Sequence, residues 1–507
     1  MMNLTAGVDF HRLRTPDKVA IVYQGQGIRY GDFHGRIMKM AGYLQARGLK
    51  QGDVIALFMK NSPAFLEISF AVSAIGAVFL PINYRLAPAE ATFILENSSA
   101  RLLFVDEEFE QIAALPFDRV VVDAAMQADV CAHHAVAQAV PGEVCVARPD
   151  DLVRLMYTSG TTSHPKGVMH TYSNMHWKSV DHIIALPLTG DDTLLSVGPL
   201  YHVGAFDLPG VAIFEVGGTM CLLREFNALE VLKAIQAHRV TCGWMAPVML
   251  SRVLAEPSAV EHDLSSFRWC IAGGEKTPDT RIRDFTRVFT QGRFIDGYGM
   301  TETCSGDTLM EPGKEIEKIG STGRALAHVQ IRIMDGQGNA LPADTLGEIC
   351  IRGPKVTRGY WNDPQKTAES FFGDWLRSGD VGYLDEDGFL FVTDRSKDMI
   401  LTGAENVASL EVEDVIFKLK KITDAAVVGV PDAQWGERVV AVVVLAPGES
   451  LTLDELAAHC AQYLASFKVP RALYLVDELP RNPSGKVLKR VVRDNLQALS
   501  WRQTISQ

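Results

Sequence analysis

The chain has 507 residues, of which 47% are hydrophobic and 22% are charged, and its formal net charge is -12. This length exceeds what one compact core supports, so two or more domains are expected. The acidic balance argues against broad nucleic-acid binding, which needs a basic face. The eight cysteines are scattered, with no Cys-x-x-Cys pair and no Cys/His cluster, which favours reduced cytoplasmic thiols and argues against a zinc site.

Neither a targeting segment nor a membrane span is expected. The N-terminal "MMNLTAGVDFHRLRTPDKV" has no apolar core of the kind found in signal peptides. The longest apolar run begins at Ala64, but Glu67 interrupts it and it is short for a span. We therefore predict a buried helix there and a cytoplasmic protein.

Helices and strands alternate in the N-terminal part. "RYGDFHGRIMKMAGYLQARGL" has helical spacing and reaches Gly48, and the strand "DVIALFMK" follows. A helix is predicted from Ser62 to Ala77, then the strands "VFLPIN" and "ARLLFVD". This order predicts a largely parallel sheet covered by helices. Residues 124–149 are Ala-rich and weakly periodic, which is typical of a connecting segment.

The pattern changes near Gly347. "GEICIRG" and "GYLDEDGFLFVTDR" are typical of short antiparallel strands, with a turn at Asp387-Gly388. A smaller α+β pattern follows, with helices in "SLEVEDVIFKLKK" and "TLDELAAHCAQYLASF" and strands in "AAVVGV" and "VVAVVVL". We place a domain boundary at Asp394 to Lys397.

The segment "YTSGTTSHPKGV", from Tyr157 to Val168, has the composition of an anion-binding loop. Small residues let backbone N–H groups converge on a phosphate, and Lys166 adds a mobile positive charge. A Walker A loop requires lysine directly after the second glycine and before Ser or Thr, and this spacing is absent. Taken alone, the segment is either a phosphate loop or an ordinary surface turn.

Further segments share the order and spacing of one enzyme superfamily. They are "PLYHVGA", "IAGGEKTP", "DGYGMTE", "SGDVGYLDEDG", "TDRSKD" and "PRNPSGKVLKR". With the Ser/Thr/Gly loop, they resemble the adenylate-forming acyl-CoA synthetases, adenylation domains and luciferases over essentially the whole chain. Within this superfamily, the sequence pattern most resembles that of bacterial fatty-acyl-CoA synthetases.

The resemblance implies an α/β fold in two domains. A large N-terminal domain of βα-layered subdomains plus a small β-barrel-like subdomain would span residues 1–394. A hinge at 395–397 would lead to a small mobile α+β domain over 398–507. It also implies ATP, Mg²⁺ and coenzyme A as cofactors, and a carboxylic acid as the substrate.

Site residues are likewise carried over from the resemblance. Tyr298 would stack on adenine, Asp380 and Arg395 would hold the ribose, and Thr301 would contact the α-phosphate. The implied cofactor-binding residues are Thr158, Ser159, Gly160, Thr161, Thr162, Lys166, Gly274, Glu275, Asp296, Gly297, Tyr298, Gly299, Thr301, Asp380, Arg395, Lys397 and Gly403. The implied metal ligands are Thr158 and Glu302, and the implied catalytic residues are Lys486, Thr301, Glu302, His202 and Lys166.

The implied reaction has two steps. The acid attacks ATP to give acyl-AMP and pyrophosphate, which calls for fixed positive charge where two anions meet. Lys486 would bridge the carboxylate and the α-phosphate, and His202 would shield the carboxylate. The small domain would then rotate about Lys397 and present "LTGAENVASLEVED", in which Gly403 lines the tunnel of the thiol. Free coenzyme A is the favoured acceptor.

Departures from the family pattern and the nature of the acid remain open. Ser163 replaces a glycine, Glu275 and Lys276 replace an Ala-Pro pair, and Ala404 replaces a second glycine. Large apolar side chains are candidates for the acyl pocket: Trp177, Phe206, Leu208, Trp244, Met245 and Val248. They favour a hydrophobic acid, and the resemblance to fatty-acyl-CoA synthetases implies a medium- or long-chain fatty acid, with an aryl acid of the benzoate or coumarate type as the alternative. Asp207 keeps an amino-acid substrate open, because related enzymes hold an ammonium group with a nearby aspartate.

Other functions also stay open. An enzyme that loads a carrier protein is the second hypothesis, and a P-loop NTPase or a non-catalytic nucleotide-binding scaffold is the third. The first two hypotheses both predict AMP and pyrophosphate, and they differ in whether free coenzyme A discharges the acyl-AMP. The third predicts ADP and phosphate, or no turnover. The partners are then small molecules, with no nucleic acid and no membrane span, and a homodimer is an open alternative.

Overall fold

The structure is a computed structural model. It describes residues 3–158, 165–274, 277–395, 397–402, 405–432, 435–482, 486–498 and 503–504. The eight cysteines are all free thiols, and six of them are buried.

The strands follow one another along the chain in short lengths. Those up to residue 196 are β1 (Val19–Tyr23), β2 (Gln26–Arg29), β3 (Val54–Phe58), β4 (Val78–Pro81), β5 (Leu102–Asp106), β6 (Arg119–Val122), β7 (Leu152–Thr158), β8 (Lys166–Thr171) and β9 (Thr193–Ser196). Those up to residue 352 are β10 (Thr219–Leu222), β11 (Cys242–Trp244), β12 (Trp269–Gly273), β13 (Arg293–Tyr298), β14 (Thr308–Leu309), β15 (Arg324–Ala325), β16 (Gln330–Met334) and β17 (Gly347–Arg352). The remainder are β18 (Phe371–Phe372), β19 (Trp375–Leu384), β20 (Leu390–Arg395), β21 (Ile400–Thr402), β22 (Glu405–Val407), β23 (Ile422–Asp432), β24 (Gly436–Leu445), β25 (Ala472–Leu475) and β26 (Gln503–Thr504).

The helices fill most of the connections between strands. Those before residue 190 are α1 (Thr5–Arg14), α2 (Tyr30–Ala46), α3 (Pro63–Ala74), α4 (Pro88–Asn97), α5 (Glu110–Ala113), α6 (Ala124–Ala128), α7 (His134–Ala137) and α8 (Tyr172–Ala185). The others are α9 (Val203–Asp207), α10 (Ala212–Glu215), α11 (Ala228–His238), α12 (Pro247–Leu254), α13 (Asp279–Val288), α14 (Pro364–Glu369), α15 (Ser409–Ile416), α16 (Leu453–Cys460) and α17 (Lys489–Gln497). Among the described helices, none combines the length and the apolar character needed to cross a membrane.

Four sheets organise these elements. A nine-stranded sheet has the order β15-β14-β13-β12-β11-β9-β10-β1-β2, and a six-stranded sheet has the order β6-β5-β3-β4-β7-β8. Their central strands are parallel, as the alternation of helices and strands predicts. β16 to β20 form a small antiparallel sheet, and β21 to β26 form a fourth sheet with one parallel pair, β24 and β25. The predicted α/β class is confirmed.

Helix α3 shows how the sequence produces the central layer. The Ser62 side chain accepts a hydrogen bond from the N–H of Phe65, and Pro63 occupies the first turn, so the helix begins where capping predicts. All of its residues are buried, including Glu67, which pairs with Arg36 and accepts the N–H of Val130. The apolar run is therefore a core helix, as predicted, although it ends at Ala74 and not at Ala77.

The strand ends place the candidate site. In the large sheet the register pairs Trp244 with Ser196, and Gly273 with Gly297, so the carboxyl ends of β9, β11, β12 and β13 lie at one edge. Ligands of open α/β sheets bind beyond this edge. The Asp387-Gly388 turn also forms as predicted: Gly388 has φ +81° and joins β19 to β20.

Candidate active site

The candidate phosphate-binding segment lies between two antiparallel strands, β7 and β8. Thr158, the last residue of β7, lies opposite Lys166, the first residue of β8. The Lys166 ammonium lies 5.7 Å from the centre of the Tyr360 ring. Burial lowers the pKa of Lys166, and the nearby Lys366 lowers it further. Ser159, Gly160, Thr161, Thr162 and Ser163 lie outside the described residues.

Glu302 lies close to Lys166 and is nearly buried. Its Oε1 accepts a 2.9 Å hydrogen bond from the Tyr360 hydroxyl, and its carbonyl accepts the N–H of Thr357. Burial raises the pKa of the Glu302 carboxyl, and Tyr360 and Arg395 oppose this shift. A desolvated carboxylate is a hard oxygen donor of the kind that suits Mg²⁺ together with phosphate oxygens.

The predicted adenine and ribose residues come together. The Tyr298 hydroxyl donates to Asp380 Oδ2 at 2.7 Å, and Arg395 Nε lies 3.4 Å from Asp380 Oδ1. Asp380 and Arg395 are direct cross-strand partners on β19 and β20. The Asp380 carboxylate is thus contacted by the Tyr298 hydroxyl from the nine-stranded sheet and by the Arg395 guanidinium from the small antiparallel sheet.

Glycines bring the backbone close to this site. Gly274 has φ +97°, a conformation that favours glycine, directly after β12. At Gly299 a Cβ would overlap the backbone N of Gly306, so these two loops pack without side chains between them. Asp296 is buried in β13, and Gly297 packs on Leu309. Glu275 lies outside the described residues.

His202 is the N-cap residue of α9. Its Nδ1 accepts the N–H of Gly204 at 3.1 Å, which leaves the ring proton on Nε2. The Trp244 ring lies nearly parallel to it, with the ring centres 6.2 Å apart. The pKa of His202 is lowered to about 4. Burial is the main cause, and the positive charges of Lys486 and Arg154 add to it, while Asp207 opposes it. The ring is therefore neutral at pH 7, and the C-terminal Lys486 lies within electrostatic range of it.

The low pKa of His202 predicts an acid-sensitive contribution to stability. Between pH 6.5 and 4 the unfolded chain binds a proton that the folded chain does not, so the free energy of unfolding falls as the pH drops. For a shift to about 4, the loss from pH 8 to pH 5 is about 2 kcal/mol. His202→Gln should remove this part of the slope in urea titrations at several pH values, whereas His134→Gln, on the exposed α7, should not. An unchanged slope in His202→Gln would contradict the assignment.

The predicted acyl-pocket residues divide between pocket and core. Phe206 is fully buried and packs on Phe79 and Phe65, and Met245 is buried in the core behind the sheet. Both side chains are thus packed among other core residues, and their place in the acyl pocket stays a prediction. The Trp177 ring, on α8, packs on His328 with the ring centres 4.7 Å apart. Leu208 is buried and Val248 is half-buried.

Trp244 lies directly beside His202. A Cβ at Gly198 or Gly204 would overlap its ring, and 5% of the residue is exposed. Two glycines therefore make room for one indole at the edge where the strands end.

Asp207 is not available to a substrate ammonium group. It is fully buried, and its two oxygens pair with the Arg154 guanidinium at 3.1 and 2.7 Å. The amino-acid alternative, which depended on a free aspartate here, loses its support.

Some residues of the site were not predicted. Nothing in the local sequence predicts the contact of Tyr360 with Glu302, or the contact of Arg154 with His170 near α9. The partners of these side chains lie 16 to 131 residues away in the sequence. The only hint was an arginine within the apolar strand "LVRLMY", since a buried charge in a strand needs a partner.

The predicted hinge follows β20. Asp394 accepts hydrogen bonds from the N–H and the hydroxyl of Ser409 at 2.6 Å, and Asp398 accepts from Arg493 at 2.8 Å. Lys397 is exposed between them. The segment is thus bound on both sides of Lys397 to α15 and α17. Gly403 and Ala404 lie outside the described residues.

Two family models match the chain: AMP-binding enzyme over residues 9–361, and AMP-binding enzyme C-terminal domain over residues 411–486. The chain belongs to the AMP-binding enzyme family. The predicted membership of the adenylate-forming superfamily, and the predicted class of acid–CoA ligase, are confirmed.

Relatives in this family match nearly the whole chain. A feruloyl-CoA synthase from an Amycolatopsis species is 37% identical over 481 residues, which are 94% of this chain and 96% of that protein. A fatty acid–[acyl-carrier-protein] ligase from Streptomyces coeruleorubidus is 34% identical in an alignment of 517 positions, which covers 99% of this chain and 98% of that protein. ATP-bound MatB from Rhodopseudomonas palustris superposes with a TM-score of 0.91 at 30% identity and covers 98% and 99% of the two chains.

Proposed function

We propose that the chain joins a compact aromatic acid to coenzyme A in two steps, through an acyl-AMP intermediate. The observation that carries the reaction is that predicted nucleotide residues from three separate segments meet, since Tyr298 and Arg395 both lie on the Asp380 carboxylate. The charge of Lys486 also lowers the pKa of His202, and an ammonium in range of a neutral imidazole suits the meeting of a carboxylate with the α-phosphate of ATP. The carboxylate oxygen attacks phosphorus, and pyrophosphate leaves.

The residues around this point have distinct roles in the proposal. Thr158 and Lys166 bind the outer phosphates, so Lys166 stabilises the charge on the leaving pyrophosphate. Tyr298 contacts adenine, and Asp380 and Arg395 hold the ribose. Thr158 and Glu302 would hold Mg²⁺, which neutralises phosphate charge when bound. His202 remains neutral and keeps water from the carboxylate.

The second step needs a different arrangement of the C-terminal part. In the proposal, residues 1–394 and 398–507 are two domains and 395–397 is the hinge between them. Rotation about Lys397 withdraws Lys486 and brings the 401–414 segment, with Gly403, to the same site. The thiol of coenzyme A then attacks the acyl carbon, and AMP leaves with the oxygen it received from the acid.

Trp244 favours an aryl acid over the fatty acid that the resemblance implied. Its nearly buried indole fills the space beside His202 that Gly198 and Gly204 leave, so a short, flat acid is accommodated there more readily than a long alkyl chain. The feruloyl-CoA synthase relative agrees with this choice, and the carrier-protein ligase relative keeps the second acceptor open. The homodimer and the cytoplasmic location stay predictions.

The test is AMP release from ATP and coenzyme A across a panel of ferulate, cinnamate, benzoate, indole-3-acetate, octanoate and palmitate. We expect the highest kcat/KM with an aromatic acid, and AMP with pyrophosphate as products. Preference for palmitate would contradict the substrate class. Release of ADP, or turnover only with an added carrier protein, would contradict the proposed reaction.

A further inference from the structure

A fully buried ion pair lies beneath α9. Arg154, in β7, donates through both terminal nitrogens to the two oxygens of Asp207, the last residue of α9. The Lys178 ammonium is also buried, 4.0 Å from Asp207 Oδ1, and it has no hydrogen-bond partner among the residues that the structure describes. Asp207 thus lies between two basic side chains, and breaking its pair with Arg154 would leave uncompensated buried charge.

The third nitrogen of Arg154 extends the network. Arg154 Nε donates to His170 Nδ1 at 2.9 Å. Burial holds the pKa of His170 well below its usual value, and the charge of Arg154 lowers it further, so the ring is neutral. Since Nδ1 accepts, the single ring proton is on Nε2, which donates to the carbonyl of Thr301 at 2.7 Å. Hydrogen bonds therefore connect Asp207 to Thr301 without a gap.

The two ends of this chain are the two halves of the site. Asp207 closes the five-residue helix that His202 begins, and Thr301 begins the turn that carries Glu302. Under the proposed function, on which this inference rests, the first end meets the acid and the second meets ATP. The side chains between them are buried and hydrogen-bonded to one another. A shift of the His202 helix is therefore expected to move the Thr301 turn.

We propose that Arg154 and His170 are positioning residues that couple acid binding at the His202 helix to ATP binding at Thr301. Neither side chain contacts a substrate. Because coupling free energies are reciprocal, ATP raises the affinity for the acid by the factor by which the acid raises the affinity for ATP.

Two substitutions at His170 each break one side of the connection. His170→Asn keeps an acceptor near the position of Nδ1 for Arg154 but does not reach Thr301. His170→Gln keeps a donor near Nε2 for Thr301 but loses Arg154. Both avoid the unpaired charge that a change at Asp207 would leave. Asp192→Asn is the matched control, because Asp192 is equally buried and pairs with Arg268 at the opposite, amino end of β9.

The measurement is the dissociation constant of the acid by calorimetry, with and without α,β-methylene-ATP, a nucleotide that cannot transfer AMP to the acid. The acid is the panel member with the fastest AMP release. For the wild type and Asp192→Asn, we expect the nucleotide to tighten acid binding about 5-fold or more, the lower end of usual coupling. In both His170 variants the ratio should fall to within about 2-fold of one, while each ligand still binds.

Other outcomes are unambiguous. Full coupling in either folded His170 variant, or a ratio of one in the wild type, would overturn the inference and leave the proposed function intact. Absence of AMP release by the wild type with every acid would instead overturn the proposed function.

Discussion

Lys486→Ala should lower the rate of acyl-AMP formation about 100-fold or more, since removal of one preorganised charge from a reacting centre has effects of this size. Lys486 lies in the C-terminal part of the chain, yet its charge lowers the pKa of His202. Its backbone is fixed by Asn482, whose side chain accepts the N–H of Lys486 and whose own N–H donates to the Lys486 carbonyl. The loss should appear in ATP–pyrophosphate exchange with saturating acid.

The second half-reaction provides the contrast. With synthetic acyl-AMP and coenzyme A supplied, Lys486→Ala should form the thioester within a few-fold of the wild-type rate, because that step has no need of the lysine. Arg490→Ala is the matched control: it removes a positive charge that is exposed on α17, and both half-reactions should be retained. Equal damage to the two half-reactions by Lys486→Ala would show that the lysine has a different role.

Trp244→Ala should change which acid is used. Removing the indole opens the space between Gly198, Gly204 and His202, so the kcat/KM for octanoate should rise about 10-fold, consistent with burial of a few additional methylene groups. The kcat/KM for ferulate or cinnamate should fall, because the aromatic packing that fixes His202 beside the acid is lost. The same substitution should lower the free energy of unfolding by about 3–5 kcal/mol, since it leaves a cavity.

Trp375→Ala is the control for this change. It also removes one nearly buried indole, but that ring lies in the small antiparallel sheet beneath the Arg332 and Arg352 guanidiniums. We expect its acid preference to match the wild type across the panel. If Trp244→Ala keeps the wild-type ratio of aromatic to aliphatic activity while remaining folded, Trp244 does not set the substrate class.

Local patterns predicted much of the fold. Alternating helical and strand periods gave β3, α3, β4 and β5 in order, and the Asp-Gly turn predicted the β19–β20 hairpin. That hairpin also explains why Asp380 and Arg395 belong to one site: it makes them direct cross-strand partners. Element ends were less accurate, since α15 stops at Ile416 although the helical pattern continues to Lys421.

The contacts that join distant segments were not predictable from the same patterns. Arg154 interrupts an apolar strand in the sequence. The neighbouring residues do not indicate that Asp207 and His170 are its partners. Local patterns also could not divide the acyl-pocket candidates between the two faces of the sheet. Trp244 and Met245 are adjacent near the end of a strand, where successive side chains point to opposite faces, so only one of them could face His202. Apolar character alone could not separate them.

The central claim is that the acid attacks the α-phosphate of ATP, and an isotope experiment tests it most directly. The acid preferred by the enzyme is labelled with ¹⁸O in its carboxylate and incubated with ATP, Mg²⁺ and coenzyme A, and the products are analysed by mass spectrometry. The two-step mechanism predicts one ¹⁸O atom in AMP and none in pyrophosphate. Label in inorganic phosphate, or unlabelled AMP beside the thioester, would contradict it.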